Sequence, residues 1–213
     1  MGYSHEIILP NEDLSFKMFL FEGKNGNYVR GKHWHRSIEY FAIFEGSLRF
    51  FLNEEEYKMN AGEFLLVNSN EVHSIFSPKP NVTVVIQIPL VVFKKYYTNE
   101  QFISFSHEPR VRNQELMKLM HKMYDTYVKK ECGYEFRVQS YFYELLYTLV
   151  TEYRNTDISP EAVKKLSEIK SAYGNYRLYQ KELSKRIVAG ESGRNLRIFS
   201  NVFVEDVSKV CKD

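Results

Sequence analysis

The sequence has few of the features that would assign a protein class at once. Only two cysteines occur among its 213 residues, Cys132 and Cys211, and no short spacing links them, so we interpret both as ordinary thiols. No apolar run approaches the roughly 20 residues that a bilayer-spanning helix requires. The N-terminus has no basic start followed by an apolar stretch, as a secretory signal would have. We therefore expect a cytoplasmic protein.

The composition is that of a globular chain. It is 44% hydrophobic, 15% aromatic and 26% charged, which is enough apolar material for a sizeable core. The formal net charge is only +2. Lys and Arg outnumber Asp and Glu after residue 160, which is a weak indication of a nucleic-acid-binding appendage because most such charge is solvated surface.

The first half of the chain predicts a β-structure. Short segments rich in Phe, Tyr, Val and Ile alternate with clusters of Gly, Asn and Glu, a spacing typical of an antiparallel sandwich or barrel. We expect tight turns at Glu45-Gly46 and Asn53-Glu54, with consecutive strands paired as hairpins. The predicted strands are FKMFLFE, YVRGKHWH, IEYFAIF, SLRFFL, EYKM, EFLLV, HSIFS and VTVVIQI.

After Pro89 the pattern becomes helical. Apolar residues recur at three- and four-residue steps in two stretches, which predicts two amphipathic helices separated near Cys132-Gly133. We expect these helices to cover one opening of the barrel, and the same apolar stripe can instead form a homodimer interface. The stripe residues are Leu116, Leu119, Met120, Met123 and Tyr127, then Tyr141, Phe142, Leu145, Leu146, Leu149 and Val150.

The chemistry is concentrated around His33, His35 and Glu39. Residues two apart on a strand point the same way, so both imidazoles face one side, and Glu39 can reach that side from the next strand. Residues 61–73 read as a turn, a strand and a second turn, and they deliver His73 to the same place. We therefore predict that three imidazoles and one carboxylate converge.

These two stretches resemble the paired motifs of the cupin superfamily, H-x-H-x3-E-x6-G and G-x5-P-x-G-x2-H-x3-N. Three positions depart from the second motif: Asn68, Asn70 and Ser77 replace Pro, Gly and Asn. Asn70 can adopt the left-handed turn conformation that glycine provides, so the turn is retained. The matching residues are His33, His35, Glu39, Gly46, Gly62 and His73.

A wider stretch, from about His5 to Arg154, resembles the sensor domains of AraC-type transcription regulators. The resemblance rests on HWHRSIEYFAIFEGSLRFFLN, AGEFLLVNSNEVHS and IQIPLVVFKKYY in that order. It implies a mainly β fold, a cupin-like jelly-roll barrel at 1–100 followed by a helix pair at 101–155 that can serve dimerisation. Residues 156–213 would then be a linker and the remnant of a DNA-binding region.

The resemblance implies that the barrel binds a small effector, often a sugar. Two interpretations of His33, His35, Glu39 and His73 remain open. The set suits a divalent Mn, Fe, Ni, Zn or Cu ion, and it can equally line a polar effector pocket that hydrogen-bonds hydroxyl groups. Trp34 should point out of the barrel or pack under the helices. The other histidines, His5, His107 and His121, are expected on the surface or on helices.

Three function classes follow. The leading hypothesis is an effector-sensing domain, and not an enzyme, that changes the position of its N-terminal arm or helix pair on binding. The alternative is a cupin metalloenzyme, such as a sugar isomerase or a dioxygenase, in which the ion polarises a carbonyl or activates oxygen. The third is an interaction module that dimerises through its helices and binds no ligand.

The end of the chain does not carry the DNA-reading pattern that the resemblance predicts. Two helix-turn-helix units would need about a hundred residues, and only 53 follow Pro160. From about Ala172 the expected S-L-x-x-[IV]-A and S-x-x-Y-x-S-R-x-F-K-K patterns are replaced by RLYQKELSKRIVAGESGRNLRIFSNVFVEDVSKVCKD. We hypothesise a frameshift or an early stop, with DNA binding retained only in an intact relative.

Translation of the gene in its other two reading frames tests this hypothesis. We expect a helix-turn-helix pattern in one of those frames downstream of codon 172, because a frameshift leaves the original coding information in place. The absence of that pattern from both frames would contradict it.

Overall fold

The structure, a computed structural model, describes residues 4–23, 28–52, 55–97, 103–106 and 113–155. This part of the chain is mainly β with helices at its C-terminal side, as the sequence predicted. The strands are β1 (Ser4–His5), β2 (Lys17–Glu22), β3 (Tyr28–Trp34), β4 (Ile38–Leu52), β5 (Glu55–Asn60), β6 (Phe64–Val67), β7 (His73–Ser77) and β8 (Asn81–Ile88). A 3-10 helix (Leu90–Tyr96), helix α1 (Gln114–Lys129) and helix α2 (Tyr134–Thr148) follow, and α2 runs into a π-helical turn (Leu149–Tyr153).

The long strand β4 joins two sheets. Its first part pairs with β6 and β8, and β8 pairs in turn with β2. Its last part pairs with β5 and β7, and β7 pairs with β3. All of these pairs are antiparallel, whereas β1 runs parallel to β3. The result is a curled jelly-roll in which sequence neighbours mostly lie apart.

The expectation of consecutive hairpins was therefore wrong for most of the barrel. Among the strands described, β4 and β5 are the consecutive pair that hydrogen-bonds, with Leu52 opposite Glu55. Their predicted turn residues, Asn53 and Glu54, lie outside the described residues. Turn residues can mark where a strand ends, but they do not tell which strand will be its partner in a closed barrel.

The predicted turn at Glu45-Gly46 was also wrong, because β4 continues through it. The register against β8 shifts between Ile43 and Glu45, which marks a bulge, and Gly46 has a positive φ of 73°. A side chain at position 46 would collide with the Pro80 carbonyl. Glycine therefore serves a bend that carries β4 from one sheet to the other.

Two apolar clusters lie on opposite faces of the sheet formed by β2, β8, β4 and β6. Alternate residues of β4 divide between them, as expected for a strand buried on both sides. The inner core lies between the two sheets and consists of Phe41, Ile43, Leu48, Phe50, Leu52, Met59, Leu65, Val67, Ile75 and Val85. The outer core combines Ile38, Tyr40, Ala42, Phe64, Leu66, Val84, Ile86 and Ile88 with buried residues of both helices, among them Met120, Met123, Phe142 and Leu145.

The helices therefore pack on the outer face of one sheet and do not cover a barrel opening, which corrects our expectation. The positions of both helices agree with the predicted periodicity. Asn113 caps α1, with its side-chain oxygen accepting a 3.0 Å hydrogen bond from Leu116 N. The break before α2 falls at the predicted place, where Gly133 has a φ of 78°.

Within the described residues no helix is long and apolar enough to cross a membrane. The proposed domain limits at 100 and 155 stay a prediction, and residues 156–213 lie outside the described residues.

Candidate functional site

Three strands bring the predicted residues together inside the barrel. His33 on β3 lies directly opposite His73 on β7, His35 follows the end of β3, and Glu39 is the second residue of β4. None of the four is more than 4% exposed. The ligand atoms of the three histidines all lie within 4.8 Å of one another. The predicted convergence is therefore present in the structure.

Each of the three imidazoles is oriented by a backbone carbonyl. The Nδ1 atoms of His33, His35 and His73 lie 2.9, 3.1 and 3.0 Å from the carbonyl oxygens of residues 31, 37 and 71. A carbonyl oxygen can only accept, so Nδ1 must carry the proton in each ring. Each Nε2 is then the atom with the free lone pair when the ring is neutral. Histidines that bind metals are commonly held in this way.

The second turn of the motif is formed although two of its residues depart from the cupin pattern. Asn70 adopts the predicted left-handed conformation, with a φ of 68°. The backbone N–H of Asn70 donates to the carbonyl of His35 at 2.8 Å, which ties this turn to the segment after β3. Asn68 is held by the backbone of Phe105, with its Oδ1 accepting from Phe105 N at 2.8 Å. At the two positions where the family pattern has Pro and Gly, Asn68 and Asn70 thus hold the turn that carries His73 by polar contacts.

Glu39 lies against two of the histidines. Its Oε2 is 2.8 Å from His35 Nε2 and 3.1 Å from His73 Nε2. The Nε2 atom of His73 is buried and makes no hydrogen bond. It has no proton to donate, because the proton of this ring resides on Nδ1. Gln87, opposite Glu39 on β8, donates from its Nε2 to Glu39 Oε1 at 2.7 Å.

The electrostatics follow from this arrangement. Burial acts to raise the pKa of Glu39, but the hydrogen bond from His35 and the nearby His73 hold that pKa far below its ordinary value. Burial acts to lower the pKa of His35, and Glu39 outweighs it and raises that pKa. Burial, together with His73, lowers the pKa of His33 to about 4. The attraction between His35 and Glu39 therefore favours a protonated imidazole next to an ionised carboxylate.

The residues fit a divalent metal ion. An orphaned, buried Nε2 lone pair on His73 and an ionised carboxylate are ligands that lack a cation between them. Ligands that lie about 2.1 Å from one ion are about 3.0 Å apart in octahedral and about 3.4 Å apart in tetrahedral geometry. The His35–Glu39 and His73–Glu39 separations of 2.8 and 3.1 Å are close to the octahedral spacing. The N3O set suits Mn, Fe, Ni, Zn or Cu.

Two residues of the site are absent from the sequence prediction. Gln87 has a buried Oε1 with no hydrogen-bond partner, and it is the one polar residue in the second half of the apolar strand β8. That isolated polar position was a signal available in the sequence. Glu6 lies next to His33, with 3.5 Å between its Oε2 and His33 Nε2. Glu6 reaches His33 because β1 pairs with β3, and the sequence does not show that pairing.

The remaining aromatic and histidine predictions have mixed outcomes. Trp34 is 8% exposed and its ring centroid lies 4.4 Å from that of His5, so it packs against the N-terminal segment and not under the helices. His121 is exposed on α1, as predicted, and stacks on Phe44. His107 lies outside the described residues.

Comparison with known proteins identifies the family. Residues 15–146 match the family described as the AraC-like ligand binding domain. The match spans more than half of the chain and runs from the start of β2 into α2, so it includes all four predicted site residues. The chain belongs to this family. A comparison with curated proteins found no match.

Solved structures resemble short parts of the chain. A cupin superfamily protein from Desulfitobacterium hafniense is 14% identical, with a TM-score of 0.35, over 39% of this chain and 74% of its own. A conserved protein of unknown function from Streptococcus pyogenes is 12% identical, with a TM-score of 0.34, over 35% and 65%. An oxalate decarboxylase from Bacillus subtilis, studied for its Mn(II) centres, is 18% identical, with a TM-score of 0.32, over 36% and 22%. The chain thus spans less than two thirds of the last two, and we draw no conclusion about function from any of the three.

The pKa shifts predict that the metal-free protein is most stable near pH 6.5. Between pH 6.5 and about 4 the unfolded chain binds a proton at His33 that the folded chain does not, so stability falls as the pH falls. Above pH 6.5 the folded chain keeps a proton on His35 that the unfolded chain has lost, so stability falls as the pH rises through the raised pKa. Urea unfolding with a chelator at pH 5.5, 6.5 and 7.5 measures both slopes.

A His33→Asn variant tests the acid-side slope, because its amide can still donate to the Gly31 carbonyl but does not titrate. It should lose less stability than the wild type between pH 6.5 and 5.5. His121→Asn, a change at the exposed histidine, should behave like the wild type. An acid-side slope that is unchanged in His33→Asn would contradict the assignment of that slope to His33.

Proposed function

We propose that this chain senses a small effector, a sugar, at the buried site formed by His33, His35, Glu39 and His73. The single observation that carries the proposal is the convergence of three histidines, with Glu39 against two of them, inside a barrel of the AraC-like ligand binding family. The site offers unpaired acceptors to hydroxyl groups, namely His73 Nε2 and Gln87 Oε1. A buried acceptor without a donor is costly, so a ligand that supplies a donor gains affinity there.

The three Nε2 atoms and Glu39 would hold a divalent ion, which would supply Lewis-acid attraction for sugar oxygens. The protein's own part is to keep the lone pairs aimed inward through the three carbonyl contacts. Gln87 fixes the second carboxylate oxygen, so Glu39 keeps one oxygen for the centre. The effector would contact these residues directly, or next to an ion that they hold.

Sensing requires that the effector have different affinities for two states of the protein. The N-terminal segment is the element next to the site: β1 pairs with β3 at His33 and Trp34, and Glu6 approaches His33. Its displacement or retention on effector binding would give the output. In an AraC-type regulator this output would act on DNA. We also propose cytoplasmic residence.

The metal content and the thermal stability of wild-type and His33→Ala/His73→Ala protein test this function. We expect near-stoichiometric metal by inductively coupled plasma mass spectrometry in wild-type protein purified without a metal-affinity column. The double variant should contain none, because two of three imidazole ligands are lost. A panel of sugars should raise the melting temperature of the wild type, and at 100 times its dissociation constant the sugar adds about 2.7 kcal/mol to the stability. The double variant should show no such shift.

His121→Ala serves as the control, because this histidine is exposed on α1 outside the site. It should keep both the metal and the sugar response. A sugar response without metal would leave the four residues as a direct effector pocket. Turnover of any sugar by the metal-loaded protein would favour the metalloenzyme alternative, which rests on the same ligand set. Neither metal nor any sugar response in the wild type would contradict the proposal.

We further propose that the chain forms a homodimer through α2. Three large aromatic side chains are exposed on this helix: Phe136 by 83%, Tyr143 by 63% and Tyr147 by 70%. Their spacing of seven and then four residues places them in one stripe. The buried residues Val138, Phe142 and Leu145 face the other way. Most of the apolar residues that the sequence offered for a dimer interface lie in the outer core, so within the described residues the exposed aromatic stripe is the surface of α2 that can meet a second copy.

A Tyr143→Gln/Tyr147→Gln variant tests the dimer, since glutamine keeps the helix propensity and removes the aromatic area. The wild type should sediment at about twice the 25.3 kDa chain mass. The variant should dissociate at least about 10-fold more readily, because exposed tyrosines are frequent anchor residues of interfaces. Val91→Gln, at a 69% exposed apolar residue outside the stripe, should leave the mass unchanged. A monomeric wild type would contradict the proposal.

A further inference from the structure

Glu6 lies at the edge of the site and belongs to neither of the two cupin motifs. The backbone N–H of Glu6 donates to the carbonyl of Trp34 at 3.0 Å, which extends the pairing of β1 with β3. Its side chain then reaches back toward β3. The Oε2 atom lies 3.0 Å from an Arg30 guanidinium nitrogen and 3.5 Å from His33 Nε2. The side chain of Glu6 is only 26% exposed.

The contact with His33 has no favourable explanation in the two side chains alone. His33 donates its Nδ1 proton to the Gly31 carbonyl, so its Nε2 presents a lone pair to the carboxylate. Two acceptor atoms face each other, just as His73 Nε2 faces Glu39 Oε2. A cation next to both atoms would convert each pair of acceptors into a pair of ligands.

The distance is compatible with this interpretation. Three imidazoles and two carboxylates give the ion at least five ligands, and neighbouring ligand atoms about 2.1 Å from such an ion are about 3.0 Å apart. The Glu6–His33 separation of 3.5 Å is about 0.5 Å longer, so the Glu6 side chain would move closer to His33 when the ion binds. We infer that Glu6 is a further carboxylate ligand of the metal centre, contributed by the N-terminal segment. This inference rests on the metal-binding part of the proposed function.

The charges support a second carboxylate. Glu39 alone leaves a divalent ion with an excess positive charge in a buried place, whereas Glu39 and Glu6 together neutralise it. They approach from different sides, Glu39 at His35 and His73 and Glu6 at His33. In the ion-free protein Arg30 supplies the positive partner of Glu6, although Arg30 is 45% exposed and such a pair contributes little.

An ion at this position would therefore tie the N-terminal segment to the barrel. The described contacts of this segment include the two-residue pairing of β1 with β3 and the His5–Trp34 ring contact, while the next apolar side chains, Ile7 and Leu9, are 76% and 71% exposed. Occupancy of the centre would then control the protection of residues 4–9. That consequence distinguishes a ligand from a residue that only forms a surface ion pair.

Isothermal titration with Mn²⁺ and Zn²⁺, combined with amide hydrogen exchange of the full chain, tests the inference. In the wild type, ion binding should slow exchange in residues 4–9. In Glu6→Gln, the ion should bind at least about 10-fold more weakly, and the added protection of residues 4–9 should be lost. Glu12→Gln, an exposed glutamate in the same N-terminal part of the chain, should behave like the wild type. Arg30→Gln should keep the ion-dependent protection, because the ion and not Arg30 holds Glu6.

Each result decides the question. A Glu6→Gln protein with wild-type ion affinity and the same ion-dependent protection would overturn the role of Glu6 and leave the four-residue centre intact. Loss of the protection in Arg30→Gln would show that the ion pair alone places Glu6, which also overturns it. A wild type that binds neither ion would contradict the metal centre itself, and the inference with it.

Discussion

The site depends on three hydrogen bonds from histidine Nδ1 atoms to backbone carbonyl oxygens. Each carbonyl belongs to a residue two positions away in the chain, so every imidazole is held by its own local segment. Because the carbonyls accept only, the three Nε2 atoms are directed into the barrel and carry the free lone pair whenever the ring is neutral. The burial of the rings and the lone-pair contacts with Glu39 and Glu6 are consequences of that orientation. Without an ion, one proton between His35 and Glu39 is the compensation that the structure offers.

The jelly-roll topology makes these local arrangements meet. The bend of β4 at Gly46 lets this strand pair with β8 in one sheet and with β7 in the other. Glu39 and Leu52, the residue opposite His73, therefore lie on the same strand. The outer core then fixes this sheet against α1 and α2. A ligand that moves Glu39 therefore acts on a strand of the sheet that packs directly against the helix pair.

Much of the site could be predicted because its spacing is local. His33, His35 and Glu39 lie within seven residues, and the turn around Asn70 places His73 at the start of β7, opposite His33 on β3. Gln87 and Glu6 could not be predicted in the same way, because their positions depend on the pairing of β8 with β4 and of β1 with β3. The error at Glu45-Gly46 has a related cause: a glycine with positive φ serves a hairpin turn and a strand bend equally well, and only the partner strands distinguish them. The helices were placed over an opening because periodicity shows which face is buried and not what buries it.

Long-range proton–nitrogen correlation spectra of the histidine side chains in metal-free protein test the central claim most directly, since they report which ring nitrogen carries the proton. At pH 7.5 the account predicts the Nδ1–H tautomer for His33 and His73, and a proton on Nδ1 of His35. Addition of Zn²⁺ should then shift the Nε2 resonances of all three rings. An Nε2–H tautomer at His33 or His73 would contradict it, because the lone pairs would face the carbonyls and none would be available to an ion or an effector.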